Sequence, residues 1–258
     1  MLFQIKAYLK FLLKSSNQHG IHSPFVYNLI TKCFYDTHRK TWYQQLEKYR
    51  NCLLKNNNVL FVEDFGAGSK SLQNKQRKVS KIAKNAGIST KRAQLLGRFV
   101  HYFEVKNILE IGTSLGISTA SLQLGNPNAI ITTLEGCNAT AEVAKDNFNN
   151  FNFKNIKIIL GNFNETLSKT IENNSYDLIY FDGNHQKEPT INYFEQCLQH
   201  IHNDSIFIFD DIYWSKGMQQ AWQHIKQHHA VTVSIDTFYW GIVFFRKEQK
   251  KEHFKIRL

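Results

Sequence analysis

The chain has 258 residues, of which 42% are hydrophobic, and a formal net charge of +11. That is apolar material for a globular protein built as one large domain, or as one domain with a smaller cap. Its apolar runs, such as SIFIF at 205–209 and GIVFF at 241–245, fall far short of the ~20 residues that cross a bilayer, which excludes a membrane span.

The opening MLFQIKAYLKFLLKSS is apolar enough to suggest a signal peptide, but Lys6 and Lys10 interrupt the run and no small-x-small cleavage site follows. The segment predicts an amphipathic helix over 2–14 packing on the body, with membrane-surface binding as the alternative. SPFVYNLI at 23–30 begins as a helix, with Ser23 as N-cap and Pro24 in the first turn. Further helices are predicted at 40–54, 76–86 and 90–103, with one short strand near 59–62. Residues 1–89 thus form a mostly helical N-terminal cap, a candidate substrate region, ahead of a second domain over 90–258. The four cysteines, Cys33, Cys52, Cys137 and Cys197, include no C-x-x-C pair, and a reducing cytoplasm fits them best.

The positive charge is unevenly placed. Residues 1–64 carry nine basic and four acidic side chains, 65–103 carry nine basic and none acidic, and 104–258 carry fourteen basic and seventeen acidic. An anionic partner would explain this (nucleic acid, a phosphorylated or CoA-linked molecule, or a membrane surface), as would a solvated basic helix face.

From residue 107 onward the pattern changes. Short apolar runs (NILEI, AIITTLE, IKIIL, DLIYFD, SIFIFDD) alternate with amphipathic segments near 115–125, 138–150, 163–173, 188–202 and 214–229. This predicts an α/β domain, a doubly wound, mostly parallel sheet covered by helices. VTVSIDTF and YWGIVFFR follow too closely for a crossover helix and predict a terminal antiparallel hairpin.

Two glycine turns compete as the nucleoside site, LFVEDFGAGSK at 60–70 and NILEIGTSLGIST at 107–119. A nucleoside at the first strand of such a sheet needs glycines for backbone approach, a following helix N-terminus, and an acid closing the next strand. The second turn has all three, with Gly112, Gly116 and Glu135; the first is followed by no acid for 39 residues after Asp64. The DFGAGS turn is left as an anion-binding nest with Ser69 or Ser71, or as a tight turn alone.

EIGTSLG lacks the central glycine of G-x-G-x-x-G, which argues against NAD. Over about 90–258 the sequence resembles the class I S-adenosylmethionine-dependent methyltransferases, in particular the O-methyltransferases of the catechol and caffeoyl-CoA type. The resemblance is carried in order by RAQLLGRFVHYFEVKNILEIGTSLGIST, TTLEGCN, YDLIYFDGNH, IFIFDDIYWSKG and the closing hairpin. It implies a seven-stranded Rossmann-like sheet with that hairpin at its end. It also implies that Glu110, Gly112, Thr113 and Gly116 line the methionine and ribose side of the cofactor, that Glu135 accepts from the ribose hydroxyls, and that Asn162 lies near the adenine. A bidentate acid suits a vicinal diol, and a carboxylate suits a cationic cofactor.

Asp182 ends the fourth strand and Asp210–Asp211 the fifth. Crowded carboxylates at a carboxyl edge call for a cation or a raised pKa, and hard oxygens suit Mg²⁺ or another divalent ion. Cation-dependent relatives carry Asp-Asn at the second position; Asp-Asp here leaves open whether the acids bind metal, cap a turn or touch substrate. Asp182 is also expected beside the cofactor. His185 stands where those relatives carry a lysine base and is the candidate general base for an acceptor hydroxyl, with a structural histidine as the alternative. Trp214, rather than the cap aromatics Phe25, Tyr27, Phe34, Tyr35 and Trp42, is the better pocket candidate. The resemblance implies O-methylation of a small acceptor, phenolic, catecholic or CoA-linked, with a homodimer left open. A tRNA-modifying enzyme using the basic 65–103 segment, and a non-catalytic cofactor-binding regulator, are the alternatives.

Overall fold

The computed structural model describes residues 2–63 and 75–258. The DFGAGS turn, with Ser69, Lys70 and Ser71, lies outside the described residues. In chain order come α1 (Leu2–Lys14), a 3₁₀ turn (Gln18–Gly20), α2 (Pro24–Leu29) running into a π-helical turn (Ile30–Phe34), α3 (Tyr43–Lys55), β1 (Val59–Phe61), β2 (Gln76–Lys78), α4 (Val79–Asn85) and α5 (Thr90–Tyr102). The alternating region follows: β3 (Asn107–Ile111), α6 (Ile117–Gly125), β4 (Ile130–Glu135), α7 (Asn138–Asn150), β5 (Ile156–Leu160), α8 (Phe163–Ile171), β6 (Leu178–Phe181), α9 (Lys187–Leu198), β7 (Ile206–Phe209), α10 (Lys216–Gln227), β8 (Val233–Asp236), β9 (Gly241–Phe244) and β10 (Glu252–Lys255). The class is α/β, as expected. Two compact units divide the chain, Asp36–Thr166 and Met1–Tyr35 with Leu167–Leu258.

In the unit Asp36–Thr166, β3, β4 and β5 run parallel, with Ile111 opposite Leu134 and Glu135 opposite Leu160. From Ile108 to Ile111 β3 is wholly buried, as a parallel strand covered on both faces requires. Helices α5 and α6 touch through glycine: a Cβ on Gly97 would lie 2.4 Å from the Trp42 ring and 3.0 Å from Ser121 O, and one on Gly125 would lie 2.4 Å from Gly97 O. Ser121 Oγ donates to Ala93 O across the same contact. Tyr49 on α3 donates to Leu115 O at 2.9 Å, and its ring packs among Phe148, Phe151 and Phe153. The sequence predicts helix from 76 and a single strand near 59–62. Instead 76–78 pairs antiparallel with β1, and helix begins only at Val79. QRK has no apolar pattern of its own, so only the partner strand defines it.

In the unit Met1–Tyr35 with Leu167–Leu258, β6 and β7 are parallel, β7 and β9 antiparallel, β8 and β9 antiparallel, and β10 parallel to β8. The expected hairpin is therefore β8–β9. It is not the last strand pair, because β10 adds beyond it and brings the α/β strands after residue 106 to eight, where seven are expected. A polar brace secures β10: Lys255 lies 3.1 Å from Asp236 Oδ2 and 3.2 Å from the Tyr213 hydroxyl, which itself donates to Asp236 Oδ2 at 2.7 Å. Burial, then the Asp236 carboxylate, pushes the Tyr213 phenol up, so it stays a donor. Phe181, Phe194, Phe207, Phe209, Trp222 and Trp240 fill the core. No helix among the described residues is long and apolar enough to cross a membrane.

Gly97→Ala should cost about 1–3 kcal/mol, since an overpacked helix contact must separate. Urea unfolding of the variant beside the parent protein measures it, and unchanged stability would show that α5 and α6 are not this close.

Candidate functional site

The turn after β3 holds three left-handed residues in five positions, Gly112 (φ 108°), Ser114 (φ 48°) and Gly116 (φ 73°). Gly112 N and Thr113 N both donate to Leu134 O, at 3.0 and 3.1 Å, which bends the chain over the end of β4. Gly116 is the N-cap of α6 and contributes no side-chain cap, so the first-turn amides are left to other acceptors. Glycine is needed at 116 for two reasons, its left-handed φ and the Phe148 ring, which would stand 2.5 Å from a Cβ.

Glu135 holds this turn. Its Oε2 accepts from Ser114 N at 2.6 Å and its Oε1 from Cys137 N at 2.9 Å. Thr140 lies 3.3 Å from Oε1, but its single hydroxyl proton has a shorter partner in Cys137 O at 2.9 Å. Two firm donors therefore act on a carboxylate with about four acceptor sites, and capacity remains for a diol. Burial pushes the Glu135 carboxyl up, and the backbone amides of Cys137 and Ser114 pull it back.

Glu110, the fourth of the five residues of β3, is fully buried. Thr119 Oγ1 donates to its Oε2, as does Thr133 Oγ1 at 2.6 Å. Because the Thr133 proton is committed there, Thr113, 2.6 Å from Thr133 Oγ1, must be the donor in that contact. The Thr113 hydroxyl is thus spent inside the network. Glu110 Oε1 has no hydrogen-bond partner. Burial pushes the Glu110 carboxyl up to about 7 against the pull of the Ser118, Thr119 and Thr133 hydroxyls. Asn162 follows Gly161, whose amide donates to Glu135 O at 2.9 Å. Its Oδ1 accepts from Asn164 N at 3.0 Å, starting α8.

The second group of candidates lies in the other unit, past β6 and β7. His185 Nε2 stands 3.6 Å from Asp182 Oδ1, an ion-pair distance beyond hydrogen-bond length, and both side chains are partly exposed. Between them Asn184 has φ 60°, donates through Nδ2 to the Tyr193 hydroxyl at 3.2 Å, and leaves Oδ1 buried without a partner. Asp210 is buried, its amide donating to Phe181 O, while Asp211 has φ 54° and its carbonyl accepts from Trp214 N. Gln4 Nε2 donates to Trp214 O at 3.3 Å, which sets the start of α1 beside this edge.

Among the described residues no group of three or more His, Cys, Asp or Glu side chains stands arranged to hold a metal ion. Asp182, Asp210 and Asp211 follow β6 and β7, which pair in parallel with Phe181 opposite Phe209.

Sequence reasoning missed Ser114, Thr119 and Thr133, which hold the two glutamates and the turn in place. A signal existed in TTLE: Thr133 and Glu135 sit two apart on one face of a strand, with Ile131 before them on the same face.

Residues 109–212 match the profile of a methyltransferase domain. Within these residues the chain carries a methyltransferase domain. Among solved structures it is similar to the methyltransferase PaMTH1 of Podospora anserina bound to S-adenosylhomocysteine (TM-score 0.61, 13% identity, covering 88% of this chain and 97% of that one). It is also similar to the Bacillus cereus O-methyltransferase in complex with S-adenosylhomocysteine (0.55, 18%, 83% and 95%). A third is the O-methyltransferase TomG of Streptomyces achromogenes, which is involved in tomaymycin synthesis and bound to S-adenosylmethionine (0.57, 14%, 84% and 95%). None of the curated proteins matches the methyltransferase chain by sequence. The residues of the turn fit the cofactor: Glu135 has acceptor capacity for a diol, Glu110 Oε1 is buried without a hydrogen-bond partner, and α6 begins uncapped.

Glu110 yields a pH prediction for the ligand-free methyltransferase. Its folded pKa is raised from 4.5 to about 7, so the stability it contributes is full below about pH 4.5 and is lost as pH rises through 7. The loss is on the order of 3 kcal/mol. Denaturant titrations from pH 4.5 to 8 should show this slope in the parent and a flatter one in Glu110→Gln; parallel slopes would remove the assignment.

Proposed function

We propose that this protein transfers the methyl group of S-adenosylmethionine to a hydroxyl of a small, polar or anionic acceptor, phenolic, catecholic or CoA-linked. The observation that carries the reading is the Asp182–His185 pair at 3.6 Å, partly exposed and inside the segment that matches the methyltransferase profile. The bound cofactor supplies a methyl group on a sulfonium. Glu135 accepts the ribose hydroxyls while its hold on Ser114 keeps the turn closed. Gly112 and Gly116 give the turn its path, Thr113 and Glu110 fix it to β4, and Asn162 borders the adenine side.

His185 takes the proton of the acceptor hydroxyl through an imidazole nitrogen, and Asp182 orients the ring and borders the cofactor. General-base assistance of this kind is worth about 10²–10⁴ in rate; alignment of acceptor and methyl supplies the rest. Trp214 borders the acceptor, and residues 1–89 supply the acceptor-binding region ahead of the cofactor-binding part, 90–258; the Gln4–Trp214 contact, which sets α1 beside Trp214, supports a part for the N-terminal segment there. Two anchors bear on the nucleic-acid alternative: Lys81 and Lys84 on α4 are exposed, yet the residues between them, Ile82 and Ala83, are buried aliphatics and not stacking aromatics. In sequence, Phe65 is the one aromatic residue among the basic residues of 65–98, where single-stranded RNA is held on stacked aromatics, and this ranks RNA second.

A methyl-transfer assay against metabolite and RNA pools tests the proposal. Asp182→Ala and His185→Ala should each lose about 100-fold or more in turnover while S-adenosylhomocysteine binding stays within a few-fold. Glu135→Ala should lose about tenfold or more in that binding, read by calorimetry. The same assay run with and without EDTA reports whether turnover needs a divalent cation held by Asp182, Asp210 and Asp211. Full activity in both edge variants would show that the catalytic edge lies elsewhere.

A further inference from the structure

Helix α1 carries four rows of side chains at four-residue spacing. Phe3, Ala7 and Phe11 form the inward row, with Ala7 and Phe11 buried. Ile5, Leu9 and Leu13 form a row pointing away from the body, 52, 56 and 87% exposed, and Leu2, at the helix start beside it, is 75% exposed. Lys6, Lys10 and Lys14 form a third row between the apolar and the inward rows, all three exposed. Gln4, Tyr8 and Leu12 complete the other edge, with Tyr8 exposed.

A helix held only by its body would present polar residues outward. Here the face opposite the buried one is aliphatic, and contiguous exposed apolar surface of this kind marks a place of contact. The inward side is well anchored. Tyr8 and Phe11 pack on Phe238, with ring centroids 4.8 and 5.6 Å apart, and Gln4 bonds Trp214 O. The helix is therefore seated on its unit with a leucine ridge turned outward.

Charge selects the occupant. The first acidic residue of the chain is Asp36, so residues 1–35 contain only basic charges, Lys6, Lys10, Lys14 and Lys32. A second copy packed antiparallel on the ridge would bring two lysine rows along one edge, with no acid in the first 35 residues to offset them. An anionic lipid surface meets both features. The leucines enter the acyl boundary, and the lysines lay their stems along the ridge while their ammonium groups reach the headgroup phosphates. Tyr8 suits the same depth, with an apolar ring and a polar hydroxyl.

We propose that α1 is an in-plane anchor that docks this methyltransferase reversibly on anionic lipid bilayers, through Leu2, Ile5, Leu9 and Leu13 with Lys6, Lys10 and Lys14. The proposal does not rest on the methyl acceptor and stands or falls apart from it.

Flotation of the full chain with phosphatidylcholine vesicles, with and without about 30% phosphatidylglycerol, tests it. The protein should float with the anionic vesicles only. Leu9→Asp with Leu13→Asp should abolish flotation, and replacing Lys6, Lys10 and Lys14 with glutamine should weaken it about tenfold or more, as should high salt. The substituted positions are exposed, so thermal unfolding and S-adenosylhomocysteine binding should stay as in the parent. Failure of the parent protein to float would overturn the proposal, as would undiminished flotation of the aspartate variant. A stable dimer that sediments without lipid and falls apart in the aspartate variant would assign the ridge to a second copy instead.

Discussion

The Glu135 carboxylate holding the Ser114 amide is the contact on which the candidate cofactor site depends. A serine at φ 48° costs of order 1–3 kcal/mol and persists only when its surroundings over-determine it. Without Glu135 the strained residue would also have a partly buried amide to satisfy, at about 1–3 kcal/mol more. The same carboxylate accepts from Cys137 at the start of α7. One side chain thus joins the end of β4 to the turn after β3 and to the next helix, while retaining acceptor capacity. Under the proposed function it has two tasks, shaping the turn and receiving the nucleoside.

Glu110 shows the tension in such a site. A fully buried carboxyl with no basic partner among its hydrogen bonds is stable mainly as the neutral acid, and its elevated pKa reflects this. Three threonines wire it to the turn, and the direction of each hydroxyl proton follows from the single proton that each can give. A cationic ligand nearby would relieve the cost by favouring the ionised form. The sulfonium of the proposed cofactor is a ligand of that kind.

The other unit solves a different problem, that of ending a sheet. Its outermost strand, β10, is short and charged, and charge on an edge strand discourages further pairing. The brace of Lys255, Asp236 and Tyr213 secures that strand without a large apolar face. Phe238, at φ 75°, stacks on Tyr213 at 5.0 Å and meets α1 through Tyr8 and Phe11, so the brace and the N-terminal helix share one aromatic cluster.

Much of this was legible in the residues. NILEI and IKIIL appear as strands at their expected bounds, α1 spans 2–14, and Ser23 caps α2, because apolar periodicity and cap chemistry are local. Glu110, Gly112, Gly116 and Glu135 stood out by spacing, and the structure brings all four to one turn. The pairing of 76–78 with β1, the strand at 252–255 and the strained turn at Ser114 were not legible. Each depends on a partner far away in sequence or on one backbone dihedral. By itself the sequence determined the alternating strands and helices, the methyltransferase motifs and the acid-free first 35 residues, since these are properties of order and composition. Only the tertiary structure decided which hydroxyls hold Glu110, that Ser114 bears the strain of the turn, and that α1 turns leucines outward, since these follow from which atoms meet once the chain is folded.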